Sequence, residues 1–230
     1  IGDSAGAAIT SVSGSTFLGQ TAGGTVTTGN QNIAVGYDAM SGGTTTGDNN
    51  IAIGASAGDA LTSGYSNILM GKEAGGALTT GNRNIAIGHN ALDAADGAES
   101  HNVMIGYDAA TNVNEDGFLY NVGVGNYVFD GVAAGSDPIE CVAVGYNALS
   151  GVMVDAADGN TAVGYNAGLT ITSAARNTFV GRTAGEALTT GNYNTALGAQ
   201  ALGTATTATL NTAVGYNSMA DIKAGVAVDS

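Results

Sequence analysis

"NRNIAIGHNAL", residues 82–92, reads as a short apolar strand held between two turns. The frame returns as "GNTAVGYNAGL" at 159–169 and as "NYNTALGAQAL" at 192–202. With its glycine as a marker, the frame falls at Gly2, Gly19, Gly36, Gly54, Gly71, Gly88, Gly106, Gly125, Gly145, Gly164, Gly181, Gly198 and Gly215, so neighbouring markers lie 17 to 20 residues apart. A near-constant period of this size along the whole chain is the signature of a solenoid, in which each repeat buries its apolar surface only by stacking on the next.

Three columns travel with the marker. Four residues before it stands Asn32, Asn50, Asn67, Asn84, Asn102, Asn121, Asn160, Asn177, Asn194 or Asn211, with Ser15 and Cys141 as departures. Three residues after it stands Ala, as in Ala22, Ala57, Ala91 and Ala184, and seven after it an aliphatic residue such as Val26, Leu61 or Leu188. Units this short have no room for a helix, a strand and two connections, so each is expected to hold two strands of about five residues and two tight turns. The result is an all-β parallel solenoid of about 12 to 13 coils, with successive coils paired at about 4.8 Å. Identical positions then lie above one another. The asparagines are expected to form an amide ladder, the glycines to mark a positive φ or a corner too crowded for a Cβ, and the alanines to fill a tight place inside the coil.

In "NIAIG" both faces of the strand are apolar, with Ile85 and Ile87 on one and Ala86 on the other. A strand apolar on both sides is normally covered on both sides. One face is therefore expected to meet the coil interior and the other a shared axis, most simply of a homotrimer. The residue after Asn changes to Thr at Thr161, Thr178, Thr195 and Thr212, which weakens that burial toward the C-terminal end. The whole chain, 1–230, reads as one repeat domain: regular coils at 1–92, longer coils with acidic turns at 93–159, and regular coils again at 160–230.

Composition narrows the function. Of 230 residues 38 are Gly, 1 is Pro and none is Trp, and 44% are hydrophobic against 10% charged, too apolar for simple disorder. The formal charge of -14 repels phosphate backbones, so nucleic acid is not an expected partner. No apolar run approaches the roughly 20 residues that span a bilayer, and membrane insertion is not expected. Ile1-Gly2 is already in phase with the repeat, which reads as a trimmed chain, either a processed product or a window from a longer one.

The columns of "NIAIG..A" resemble the head repeats of trimeric autotransporter adhesins and the similar repeats in bacteriophage tail-fibre shafts. The likeness runs along nearly the whole chain. It implies a left-handed parallel β-roll, three chains about one axis, an extracellular place in a virion fibre or cell-surface appendage, and attachment to a host. A receptor, glycan or protein, would be the further partner. The adhesin repeat is typically shorter than this one, which leans the resemblance toward a phage fibre or a related appendage.

Chemistry-bearing residues are sparse. His89 and His101 are the two histidines, and Cys141 takes an asparagine position, where it reads as a packed substitute and not as a nucleophile. The longer turns carry Asp93, Asp96, Glu99, Glu115, Asp116, Asp130, Asp137, Glu140, Asp155 and Asp158. A carboxylate pair could in principle cleave glycans, yet no aromatic-rich groove surrounds these acids, and no enzyme activity is expected. Calcium would suit such turns, but no calcium-loop spacing is present, so solvated turns and no cofactor are the reading. The column after the marker holds Tyr37, Tyr107, Tyr146, Tyr165 and Tyr216, either an aromatic stripe for sugar rings or a cover over the edge of the coils. Pairs such as Thr27-Thr28, Thr79-Thr80 and Thr189-Thr190 are expected to stack into hydroxyl ladders, an alternative ice-binding flank.

Overall fold

The computed structural model describes residues 2–114 and 117–220. Each coil contributes one strand of three residues, centred two positions after the recurring Asn. They are β1 (Thr16–Leu18), β2 (Ile33–Val35), β3 (Ile51–Ile53), β4 (Ile68–Met70), β5 (Ile85–Ile87), β6 (Val103–Ile105), β7 (Val122–Val124), β8 (Val142–Val144), β9 (Thr161–Val163), β10 (Thr178–Val180), β11 (Thr195–Leu197) and β12 (Thr212–Val214). They form one parallel sheet in sequence order, every strand in register with the next, as in Ile51↔Ile68 and Ala52↔Leu69. At about 4.8 Å per pairing, the eleven intervals make a sheet about 53 Å long. The sheet runs unbroken through the longer coils, from Met104↔Gly123 to Ala143↔Ala162.

The expected second strand is not there. Its segment, "AGGALTT" in the coil of β4, is a run of turns. In that region the described residues show only one isolated parallel bridge, Val26↔Thr45, and a second, Ser100↔Leu119, lies two residues before the recurring Asn. The cause is local backbone: the residues two and four positions after the marker hold φ near +55°, as in Glu73 (+58°) and Gly75 (+57°), and so does the residue before Asn, as in Arg83 (+57°). Three left-handed corners per coil curl the chain too tightly for an extended stretch of five. The turns still bond from coil to coil, as in Thr62 N–H to the Thr79 carbonyl at 2.9 Å and Gly58 N–H to the Ala74 carbonyl at 3.0 Å.

The marker glycine satisfies both reasons offered for it. Gly106 has φ +150°, and a Cβ built there would lie 2.2 Å from the carbonyl oxygen of Gly125 in the next coil. The alanine column is fully buried, as at Ala57, Ala91 and Ala184.

The core follows a size rule within each coil. Where the strand centre is large, the residue four after the marker is small: Phe17 with Gly23, Leu69 with Gly75, Met104 with Ala110, Phe179 with Gly185. Where the centre is small, that residue is usually large: Ala34 with Met40, Ala86 with Leu92, Gly123 with Phe129, Ala143 with Leu149. The two positions share one space. A Cβ on Gly75 would meet Leu69 Cδ2 at 2.8 Å, and one on Gly123 would meet Phe129 at 3.2 Å. Close packing leaves room for one large side chain there, not two.

Candidate functional site

The asparagine column is an internal ladder. Asn50 N–H donates to Asn32 Oδ1 at 2.8 Å, and the same bond repeats from Asn67, Asn84, Asn102, Asn121, Asn177, Asn194 and Asn211 to the oxygen one rung earlier. Apart from the terminal Asn211, each Nδ2 reaches across the coil to a turn carbonyl, as in Asn67 to Gly81 at 2.8 Å and Asn194 to Ala208 at 2.7 Å. These side chains are buried except at the terminal Asn211, so the ladder pairs backbone groups that would otherwise be orphaned. At Cys141 the material changes. Asn160 N–H reaches only sulfur, at 3.4 Å, and the thiol turns to the Ala157 carbonyl at 3.3 Å. Burial pushes the Cys141 thiol up to about 12, which leaves it protonated and unreactive at neutral pH.

Strand orientation assigns the two apolar faces. The central residues, Ala34, Ala52 and Ala86 among them, are fully buried inside the coil, while the first and third residues point outward and are half-buried or exposed. The outward face thus consists of two parallel rows. Row one holds Thr in β1, Ile in β2 to β5, Val in β6 to β8 and Thr in β9 to β12; row three is aliphatic throughout. Neither row contains a charged residue. The outward face is therefore the one that carries the Ile and Val residues, and Ala86 belongs to the chain's own core.

An aromatic margin runs beside this face. His89 stacks on Tyr107 with centroids 5.4 Å apart, Tyr107 meets Tyr127 edge-on at 5.5 Å, Tyr127 meets Tyr146 at 5.5 Å, and Tyr146 stacks on Tyr165 at 5.5 Å. Tyr107, Tyr146 and Tyr165 are brought together as their column requires. Tyr37 and Tyr216 are not, since their neighbours one rung away are Gln20, Ala55 and Ala199. Tyr37, in mid-chain without ring neighbours, is 56% exposed against 43% for Tyr107. The sequence reading missed Tyr127. It lies one position late because Asn126 holds the column, and only the turn's curl swings its ring into the row. His89 and Tyr146 each lay a ring face against a neighbour, which takes those faces from any sugar. On the upstream margin His101 stacks on Tyr120 at 5.1 Å, Arg83 lies over Tyr65 at 5.1 Å and Arg176 over Tyr193 at 5.7 Å.

The acidic turns are more structured than solvated loops. Glu99 is fully buried, and its Oε2 accepts from Gly97 N–H at 3.1 Å. Asp158 accepts from Ile139 N–H at 3.0 Å and Asp155 from Asp137 N–H at 3.2 Å, both one coil away. Burial raises the Asp93 carboxyl above its usual range, with the Glu73 charge adding to it; burial and then Asp108 do the same for Asp130, and burial and then Asp155 for Asp137. Asp93 also lines a shallow depression of about 470 Å³ with Ser56, Asp59, Glu73, Gly76, Ala77 and Ala94. Among the described residues no three His, Cys, Asp or Glu side chains are grouped so as to hold a metal ion. Glu115 and Asp116 lie outside the described residues.

The threonine pairs do not form hydroxyl ladders. Thr79 Oγ1 donates to the Asp96 carbonyl at 2.8 Å and Thr189 Oγ1 to the Thr206 carbonyl at 2.9 Å. The backbone of the next coil is the nearer acceptor, so the first hydroxyl of each pair clamps two coils together. No helix among the described residues is long and apolar enough to cross a membrane.

No family model, curated protein or solved structure matches the chain.

Proposed function

We propose that this chain is a structural and adhesive fibre segment, of the kind that builds phage tail fibres or surface adhesins. It gives length and stiffness and displays a receptor-binding surface outside the cell. In this reading three copies, each wound as a left-handed roll, lie side by side about one axis with their strand faces inward.

The observation that carries the reading is the register. Every strand repeats at the same three positions for twelve coils. Stacking of this kind scales length with repeat number and leaves each coil dependent only on its neighbours, the economy of a spacer. The uncharged outward face supports the oligomer, because a sheet apolar on both sides is stable when both are covered. The glycan-binding alternative is supported less, since the stacked rings of the tyrosine row present edges and hydroxyls.

Light scattering combined with small-angle X-ray scattering tests the proposal. The expected particle has about three times the 22.3 kDa chain mass and an elongated shape at least as long as the sheet. A compact monomer would refute the fibre reading.

A further inference from the structure

We infer that the tyrosine row is a site of oxidative crosslinking, at which Tyr146 and Tyr165 join ring to ring as dityrosine and staple two coils of one chain. The inference does not depend on the fibre reading, because both rings belong to the same chain.

Register makes the pair. Tyr146 and Tyr165 each follow the marker glycine, in the coils of β8 and β9, whose strands pair in register from Val142↔Thr161 to Val144↔Val163. Asn166 N–H donates to the Tyr146 carbonyl at 2.9 Å, which fixes the two backbones directly beside the rings. The rings themselves are stacked, 5.5 Å between centroids and 9° from parallel. Parallel rings from one repeat position set like edges side by side, so the carbon ortho to one hydroxyl comes beside the carbon ortho to the other. At 44% and 48% exposure both phenols are open to an oxidant and have room to tilt.

The fold selects this pair from nine tyrosines. Tyr107 with Tyr127 and Tyr127 with Tyr146 also touch, but edge-on, at 71° and 76°, which aims the edge of one ring at the face of the next. Arg83 lies over Tyr65, Arg176 over Tyr193, and His101 stacks on Tyr120, so among the described residues these three rings meet no second phenol. Tyr37 and Tyr216 have no tyrosine one rung away.

The chemistry is a two-electron oxidation whose co-reactant is a haem peroxidase with hydrogen peroxide. Each phenol loses one electron to the oxidant and its hydroxyl proton to water. The two phenoxyl radicals form one Cε–Cε bond, and the hydrogen on each bonded carbon moves to the ring oxygen, which restores both aromatic rings. Two hydrogens leave the pair in all, and hydrogen peroxide is reduced to two waters. Rings held in contact by the fold react at an effective concentration that encounters between dilute chains do not approach.

The staple falls where the internal ladder changes material. The same two coils share the link from Cys141 to Asn160, in which a backbone N–H meets sulfur at 3.4 Å in place of an amide oxygen. A covalent bond on the outside of that step keeps the coils together whatever the ladder does, and like a disulfide it restricts the unfolded chain.

The test oxidises the whole natural chain, dilute, with a haem peroxidase and hydrogen peroxide. Dityrosine fluorescence is expected on a species that runs at the mass of one chain in a denaturing gel. Asp155 and Asp158 lie between the two tyrosines, so cleavage at acidic residues frees them on separate peptides unless they are joined. Mass spectrometry should find the joined pair, short of two hydrogens. Tyr165→Phe keeps the ring and its packing and should lower the fluorescence about fivefold, whereas Tyr37→Phe with Tyr216→Phe should leave it unchanged. The oxidised natural chain should have a higher urea midpoint than the unoxidised one, a gain absent from oxidised Tyr165→Phe. No dityrosine, dityrosine only at the mass of two or more chains, a yield indifferent to Tyr165→Phe, or a midpoint that does not rise would each overturn the inference.

Discussion

At the scale of the residue, the asparagine ladder and its single sulfur rung make an internal comparison. Asn84→Ala would leave Asn102 N–H without its acceptor and the Glu99 carbonyl without its donor. Two buried unsatisfied groups at about 1–3 kcal/mol each place the expected loss at about 2–6 kcal/mol, read from the denaturant midpoint. Cys141→Asn should move the midpoint the other way, by about 1 kcal/mol, because it restores an amide where Asn160 N–H now meets sulfur. The ladder was legible in the sequence because asparagine has both a donor and an acceptor and recurs at one phase. What could not be read was its geometry: each side-chain oxygen serves the next backbone N–H, while the amide nitrogen crosses the coil to a turn carbonyl.

At the scale of the element, the three-residue strand is where sequence and structure part. The marker glycine announces its corner, and some other left-handed positions carry turn residues such as Asp38, Asn90 and Gly75, but many are filled by Thr21, Glu73, Tyr127 and similar residues with no turn signature. Each accepts a φ that costs an ordinary residue about 1–2 kcal/mol in isolation, held by the coils on either side. The tyrosine row suffered from the same blindness, since Tyr127 joins it only through such a corner. The size rule, by contrast, was in the sequence, yet it shows only when positions six residues along in the same coil are compared in space. It predicts a rescue. Gly75→Leu should destabilise by about 1–3 kcal/mol through overpacking against Leu69, and Leu69→Ala by about 2–5 kcal/mol through the cavity it leaves. The double variant would reproduce the Ala86 and Leu92 pairing and should be more stable than the sum of the two. A double-mutant cycle in urea measures the coupling, and strict additivity would mean that the two sites do not share a space.

At the scale of the whole molecule, the acids give the rod an unusual response to pH. Asp93, Asp130 and Asp137 have raised carboxyl affinities for protons, burial first and neighbouring acids second. At these three sites the folded chain holds protons more tightly than the unfolded chain, while Glu73, whose carboxyl the Lys72 ammonium holds lower, works the other way. Stability on this account is greatest below the ordinary carboxyl value and falls as pH rises through that value and the raised folded ones, the reverse of the usual acid effect. The expected outcome is a higher melting temperature at pH 4.5 than at pH 7. Asp93→Asn, Asp130→Asn and Asp137→Asn combined should flatten the difference, and a melting temperature that climbs with pH in the natural chain would contradict it.

A rod built this way has its rungs in series. Tension applied along its axis lies nearly parallel to the bonds between coils, so every rung feels the same force and the strength of the whole is that of its weakest rung. Nine of the ladder links carry an amide-oxygen acceptor within 2.8–3.1 Å. The link from Cys141 to Asn160 carries sulfur at 3.4 Å, in the stretch of longest turns. Under load that rung is the mechanical fuse of the molecule, and it sits between β8 and β9, where the outward face changes from valine to threonine.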